Sequence, residues 1–597
     1  MKTTNDARLG SMRKLSPRRN SSAAESLDEL VAQQLEYFGI ARDSEYGQVL
    51  SRIVHRMYES QHDVEQLWKL TLESIHQMPP SEKIQRFNAK KFLSFQLAKV
   101  LDTLQNPFRA SYQALRYSGE TIAAKGPYPV FDNVTALFSA TPVITRTATY
   151  IYACAEWIED AFNGKELMLE IYSRLLNPTS VCLANHIVDL EAGPFAGDYM
   201  AWNFNSGMAA IDSTLSHVLG RDDILIKSRN IYGGAYQLIH DWFAKPANLA
   251  VAVETFDGYS AEAFEHCLTV VQRKYSDRLA AGRKIYVYLE SPSNPQGYVL
   301  DVGGICRAAH QHGLQVILDG TVATPFLFRP LQNPDTNARP DFLIHSYTKD
   351  ISGSGSVIAG CVIGRNEEMF IPKGQTIQLP GGGQKSWDQT MFWNVYYVKG
   401  AFLNADAAFE VMQGVKTMNL RMLRKCINTQ ILAKFFDSHP GVNVQCNALD
   451  ADANAELRRQ QMYLGLPAPL FTFDMGDLPR DDFQRFFDAL SPTFGHMISL
   501  GQTNTIVSCP ALTTHSELDE AALAAAGMKS TTVRCAVGDE SPLDLIRHFV
   551  YAAAGTIETS LPGFTDQFMD ESSTKTMIQE TYLAAHQAHV EAELFDE

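Results

Sequence analysis

At 597 residues, with 45% hydrophobic content and a formal net charge of −16, the chain is long enough for several hydrophobic cores and has an ordinary globular composition. The acidic balance disfavours nucleic acid or an anionic membrane as the main partner, and no apolar run approaches the ~18–20 residues that a membrane helix requires. Nine cysteines from Cys154 to Cys535, an odd number without C-x-x-C spacing, argue against a disulfide framework and a zinc site and point to a reducing, cytoplasmic setting.

Residues 1–25 are rich in Arg and Ser and lack an apolar segment, which predicts a disordered tail rather than a secretory signal. From Ser26 onward apolar residues recur at three- and four-residue intervals, as in Leu27, Leu30, Val31 and Leu35 and again in Leu50, Ile53 and Met57. This period predicts an N-terminal helical extension over 26–145, with Phe92, Phe95 and Leu97 in its core.

The middle of the chain changes character. The runs 224–226, 249–253, 285–289, 316–318 and 342–344 read as buried strands. Between two of them, DVGGICRAAHQHG predicts a helix with Asp301 as N-cap and Gly313 as its stop. Strands alternating with helices predict a mostly parallel sheet in a large α/β domain at 146–420, with ligands gathered at the carboxyl ends of the strands. A long helix ending at Gly441 opens a smaller C-terminal domain at 421–560, with strands at 470–473 and 531–534. Residues 561–597 read as an acidic, helical tail.

Two strand ends carry the chemistry. Asp319 closes the run 316–318, and Lys349 ends the stretch IHSYTK that continues the run 342–344. A lysine can hold an aldehyde as a Schiff base, and a carboxylate can keep a ring nitrogen protonated, which are the two demands of pyridoxal phosphate. The glycine runs at 353–355 and 381–383 fit neither the Walker A nor the dinucleotide spacing.

Around this pair, ESPSNPQGYVLDVGGICRAAHQHGLQVILDG and DFLIHSYTKDISGSGSVIAG resemble the Cys/Met-metabolism, or transsulfuration, family of pyridoxal phosphate enzymes, over roughly Tyr172 to Ala554. The resemblance implies a fold-type-I, aspartate-aminotransferase-like α/β architecture, with a mostly parallel central sheet, a smaller C-terminal α/β domain and an added N-terminal helical domain. It implies that Lys349 holds the cofactor and acts as the catalytic base, and that Asp319 faces the ring nitrogen. Ser346 and Thr348, with Ser206, Gly207 and Met208 of the S-G-M-A-A element, match the residues that bind the phosphate. Two residues apart on an extended strand end, Ser346 and Thr348 face one side and can both donate to an anion. Tyr232 of Y-G-G matches the tyrosine that stacks on the ring and moves protons, and Asn294 of S-P-S-N-P the asparagine near the ring oxygen. Ala235 stands where that motif usually has threonine or serine.

Segment 172–179 is similar to the family's Y-S-R-x-x-N-P-T arm, whose tyrosine and arginine reach a neighbouring subunit's phosphate. Tyr172 and Arg174 then imply shared sites in an obligate homo-oligomer, a dimer of dimers. Arg534 of T-V-R-C-A-V-G and Ser499 of S-L-G match the groups that bind the α-carboxylate of an amino-acid substrate. No metal is implied. The implied reaction is C–S cleavage by γ-elimination on a methionine- or cystathionine-like amino acid, giving a 2-oxo acid, ammonia and a thiol. The alternatives are γ-replacement on an O-acylated homoserine and, in another class, an inactive homologue serving as an interaction scaffold. Ile498, where cystathionine-handling relatives carry glutamate, and GVKTMNLRM favour the methionine γ-lyase branch. Gly234, where that branch has cysteine, and S-G-S-G-S in place of S-G-H-G-D speak against it.

Overall fold

The computed structural model describes residues 171–379, 382–476, 478–509 and 529–595, and before them 26–37, 39–77, 117–125, 139–150 and 155–162 with a few isolated positions. The predicted tail at 1–25 and the trio Phe92, Phe95 and Leu97 lie outside the described residues. The chain divides into two compact units, with the boundary between Ile144 and Thr145.

In the first unit, α1 (Leu27–Tyr37) buries Val31 and Leu35, four residues apart on one face. The 33-residue α2 (Glu45–Gln77) starts where the Ser44 hydroxyl accepts from the Gly47 amide at 3.0 Å. Ile53 and Met57 on α2 are 49% and 53% exposed, so the helical period that marks the element does not mark a core face there.

The second unit holds a seven-stranded sheet: β1 (Tyr199–Phe204), β2 (Ile224–Ser228), β3 (Ala252–Phe256), β4 (Ile285–Glu290), β5 (Gln315–Asp319), β6 (Phe342–His345) and β7 (Gly360–Arg365). Their order is β1-β7-β6-β5-β4-β2-β3. The pairs among β2 to β6 are parallel, and β7 runs antiparallel to both β6 and β1. β2 and β4 are buried along their whole length, which is why they read as unbroken apolar runs. β3 starts three residues later than the run 249–253 because Ala250 turns in the left-handed region (φ 53°) before the chain pairs with β2. It is an edge strand, half-buried until Phe256. β1 and β7 were not among the predicted strands.

Around this sheet lie α3 (Pro178–Ala192), α4 (Gly207–Val218) and α5 (Val302–Gln311). α5 forms as its caps require: the Asp301 carboxylate accepts from the Gly304 amide at 2.9 Å, and Gly313 takes φ 69° beyond its end. Next, α6 (Met418–Asp437) ends four residues before Gly441, since Pro440 disfavours a helical residue ahead of it. His439 closes the turn, accepting from the Gly441 amide at 2.9 Å.

A small hairpin joins β8 (Thr376–Gln378) to β9 (Gln384–Ser386). The second sheet has the order β10-β11-β14-β13-β12, built from β10 (Asn443–Gln445), β11 (Leu470–Asp474), β12 (Gly495–His496), β13 (Ile506–Ser508) and β14 (Val533–Ala536). β14 begins two residues after the predicted start because Thr532 still closes a turn onto the Lys529 carbonyl. Against this sheet packs α7 (Pro542–Thr556), around a cluster in which Phe436 meets the rings of Phe471, Phe473 and Phe549, and α8 (Glu571–Phe595) lies on α6 and α7. α8 is helical as expected, and its Met577, Ile578 and Tyr582 pack on the core, with Tyr582 donating to Asn428 Oδ1 at 2.7 Å. No helix among the described residues is long and apolar enough to cross a membrane.

Candidate active site

The carboxyl ends of the parallel strands converge where the sequence placed the chemistry. Glu290 ends β4 and Asp319 ends β5, and the two residues are direct register partners. Both are buried. Asp319 Oδ1 accepts from the Thr321 amide at 3.0 Å, and Oδ2 from the Tyr288 hydroxyl at 3.5 Å. Glu290 accepts from the amides of Tyr232 at 2.5 Å and Asn294 at 3.0 Å. Burial pushes both carboxyls above their usual range, and the Asp319 charge pushes Glu290 further. No ion pair forms at either one among the described residues. Two facing carboxyls with so little positive compensation are arranged for a cationic N–H.

Lys349 is not at the strand end itself. Residues 346–350 form a turn after β6, closed by the Lys349 amide on the Ser346 carbonyl at 3.2 Å. The extended geometry expected for Ser346 and Thr348 is thereby replaced. The Thr348 hydroxyl is spent on Ala359, accepting from its amide at 3.0 Å, while the Ser346 amide donates to Thr321 Oγ1 at 2.9 Å. Against this turn sits the start of α4, capped by Ser206, whose hydroxyl accepts from the Ala209 amide at 3.0 Å. A Cβ on Gly207 would lie 2.7 Å from Ser346 Cβ, and one on Gly360 would lie 2.7 Å from Gly207 Cα. Glycine at these two positions lets the helix N-terminus press onto the strand ends, where the unpaired amides of Gly207 and Met208 form an anion cradle.

Lys349 Nζ donates to Ser499 Oγ at 2.6 Å. Burial, then the Arg534 guanidinium, lower its ammonium to about 8. Ser499 adopts φ 104°, and a Cβ on the following Gly501 would fall 2.5 Å from the Asp350 amide, so the S-L-G loop runs directly against the backbone of Lys349. Arg534, buried on β14, donates to the Ser499 carbonyl at 2.6 Å and to Asn294 Oδ1 at 3.4 Å. Its Nε is buried without a partner, a donor left for a ligand carboxylate. Lys349, Ser499, Arg534, Asn294, Glu290 and Tyr232 thus form one continuous chain of hydrogen bonds. Tyr232 is 42% exposed, and its ring lies over Gly234, where an added Cβ would meet Tyr232 Cε1 at 2.6 Å.

Tyr172 and Arg174 stand apart from this chain of bonds. Arg174 donates to the Tyr397 carbonyl at 2.6 Å, with its guanidinium over the rings of Tyr172 and Tyr397.

Several residues escaped the sequence reading. Glu290 closes its apolar run just as Asp319 does, and that parallel could have found it. Lys425 of α6 is fully buried and donates to Asp350 Oδ1 at 2.8 Å and to the Gln502 carbonyl, while Arg421 donates to the Asp350 carbonyl at 2.8 Å. Lys425 follows Arg424 in R-M-L-R-K, where nothing in the sequence sets it apart from an exposed basic residue. Behind Asp319, His345 bonds to Glu191 of α3 at 2.6 Å, both fully buried.

An anion cradle, a lysine of lowered pKa and a paired carboxyl site for a ring cation define an enzyme centre suited to a phosphate-bearing aldehyde cofactor. The Cys/Met metabolism PLP-dependent enzyme family matches residues 132–553, and the chain belongs to that family. It is 31% identical over 407 residues to an L-methionine gamma-lyase of Pseudomonas putida, covering 68% of this chain and 90% of that protein. A cystathionine gamma synthase of Xanthomonas oryzae, solved with cystathionine, superposes with a TM-score of 0.57 at 25% identity, covering 71% of this chain and 95% of that one. A putative O-acetylhomoserine (thiol)-lyase of Campylobacter jejuni, solved with pyridoxyl-lysine-5'-monophosphate, gives a TM-score of 0.58 at 26% identity, covering 70% and 96%. The chain is a pyridoxal phosphate enzyme of sulfur amino-acid metabolism with the fold-type-I architecture. The cradle, the lysine and the carboxyl pair fit that cofactor.

Two outcomes are expected. Lys425→Met and Asp350→Asn, each leaving a buried partner unpaired, should each cost about 3–5 kcal/mol, and the double variant Lys425→Met/Asp350→Leu should recover most of it. Thermal unfolding of the holoenzyme reads this, and single variants no worse than the double would refute it. Because only the neutral amine attacks an aldehyde, capture of pyridoxal phosphate by the apoenzyme should accelerate as pH rises through about 8. Arg534→Gln removes a positive charge and should move that midpoint upward. Stopped-flow absorbance across pH gives both midpoints.

Proposed function

We propose that the chain cleaves the Cγ–S bond of a methionine-like thioether amino acid, taking up one water and releasing a thiol, a 2-oxo acid and ammonia. The observation that carries this choice is Ile498. It stands immediately before Ser499 with an apolar side chain 72% exposed, and offers no carboxylate for the second amino group of cystathionine. The similarity to an L-methionine gamma-lyase supports the same reading.

When bound, pyridoxal phosphate supplies an aldehyde for the substrate amine and a ring that accepts electrons. Ser206, Gly207 and Met208 hold its phosphate with Ser346, and Thr348 pins the turn that presents them. Asp319, backed by Glu290, would hold a proton at the ring nitrogen, and Asn294 would serve the ring oxygen. Tyr232 would stack on the ring. Arg534 grips the substrate α-carboxylate, and Ser499 orients Lys349 Nζ toward the α-carbon. Lys349 would remove the substrate's α-proton; a pKa near 8 suits it to take and return protons at neutral pH. Lys349 would next take a proton from Cβ, so that the electron pair left there can expel the sulfur from Cγ, and the Tyr232 phenol would protonate that sulfur.

One observation favours γ-replacement. Gly234 has no room for a side chain beneath Tyr232, unlike the cysteine-bearing branch the sequence resembles. Incubation with methionine, cystathionine and O-acetylhomoserine, with and without added thiol, separates the two. A 2-oxo acid formed from methionine alone is expected; a thioether formed only from O-acetylhomoserine with thiol would overturn the lyase reading.

We further propose a cytoplasmic homotetramer, a dimer of dimers, in which Tyr172 and Arg174 reach a partner subunit's phosphate. Their separation from the Lys349 hydrogen-bond chain supports this. Each subunit then carries a large domain at 146–420 and a small one at 421–560. Mixing inactive Arg174→Ala with inactive Lys349→Ala subunits should restore part of the activity, because some hybrid sites draw both residues intact. Absence of any recovery after verified subunit exchange would refute shared sites.

A further inference from the structure

A second concavity, of about 510 Å³, contains none of the residues assembled around Lys349. It opens between α5, the segment that follows β5, and the stretch 460–463 that precedes β11. Gly303 and Arg307 come from α5, Phe326 and Arg329 from the segment after β5, and Gln461 and Tyr463 from the far wall.

Its lining is chemically uneven. Phe326 and Tyr463 meet edge to face at 5.2 Å and form an aromatic wall. Arg329 donates through Nε to the Pro325 carbonyl at 2.5 Å, and no carboxylate pairs with it among the described residues. Arg307 has one long ion contact, to Asp335 at 3.6 Å, with both side chains about half exposed. Asp301 is the one carboxylate among the lining residues, against the two guanidiniums; it caps α5 through Gly304 and accepts from Gln461 Nε2 at 3.1 Å. That bond leaves Gln461 Oε1 buried without a partner, an acceptor awaiting a donor.

The aromatic wall is also tied to a part of the chain beyond the family's extent. Tyr463 hydroxyl lies 3.0 Å from His589 Nδ1 of α8, a helix that begins after the family match ends at residue 553. The concavity is thus buttressed by an element that the shared catalytic fold does not include.

We propose that this concavity is a binding site for a small organic anion with a ring or compact apolar body and one O–H or N–H donor. The anion pairs with Arg307 and Arg329, the body lies on Phe326 and Tyr463, and the donor satisfies Gln461 Oε1. The site takes no part in the reaction at Lys349 and does not depend on which sulfur substrate is cleaved.

Titration of the holoenzyme with 8-anilinonaphthalene-1-sulfonate, an aromatic anion with an N–H, is expected to give one saturable fluorescent site per chain. Arg307→Gln and Arg329→Gln should each weaken it roughly tenfold, the scale of one lost charge-assisted hydrogen bond. Gly303→Leu should abolish it, since a Cβ there meets neighbours at 3.7–3.8 Å, ordinary contact, and a longer side chain extends into the space. The visible absorbance of bound cofactor reports that each variant is folded, and the three substitutions lie on two separate elements. Displacement by salicylate rather than phenyl phosphate assigns a carboxylate ligand, and the reverse a phosphate. Unchanged probe binding in all three variants, or displacement by neither competitor, overturns the proposal.

Discussion

The buried pair of Lys425 and Asp350 holds the site together. Its ammonium and carboxylate, with almost no solvent exposure, meet at 2.8 Å, and removing either would leave a buried partner uncompensated. Asp350 directly follows Lys349, and Lys425 also grips the carbonyl of Gln502, three residues beyond Ser499. One side chain of α6 therefore ties the turn carrying Lys349 to the loop carrying Ser499, and that loop in turn receives Arg534. Together with the Lys349–Ser499 and Arg534–Asn294 bonds, this tie fixes Asp319 and Lys349 beside the first sheet relative to Arg534 of the second. Arg421, one helical turn earlier on α6, adds a second hold on the same residue.

The site's charges are segregated. Lys349 and Arg534 meet at Ser499, where burial and then the guanidinium lower the lysine's pKa, while Asp319 and Glu290 face each other at the ends of their strands. Like charges held together are costly in a buried setting unless a ligand of opposite sign arrives. A molecule offering a carboxylate at one end and a protonated ring nitrogen at the other relieves both tensions together. That is the charge pattern of an amino acid joined to pyridoxal phosphate.

Much of this was legible in the sequence. Residues 285–289 and 316–318 formed strands because both faces are buried, and α5 formed between its caps as Asp301 and Gly313 required. Boundaries failed where local geometry overrode hydrophobicity, at Ala250 ahead of β3 and Thr532 ahead of β14. At the site, motif residues such as Lys349, Ser499 and Arg534 came together, whereas the extended geometry assigned to Ser346 and Thr348 gave way to a turn. The pairs Lys425–Asp350 and His345–Glu191 could not be read because their members lie 75 and 154 residues apart. Only folding brings them within reach, and a lysine among the other charged residues of α6 names no partner.

α8 alters what counts as the smallest stable form of this enzyme. The family's extent ends at residue 553, yet Phe568 stacks on Phe435 at 5.3 Å and Tyr582 bonds to Asn428, both partners on α6. A chain trimmed to the shared length would uncover an aromatic strip on the helix that anchors Lys349's neighbour. Such a product would be prone to self-association before any question of chemistry arose. For this branch of the family, the boundary of the catalytic fold and the boundary of solubility are different places in the chain.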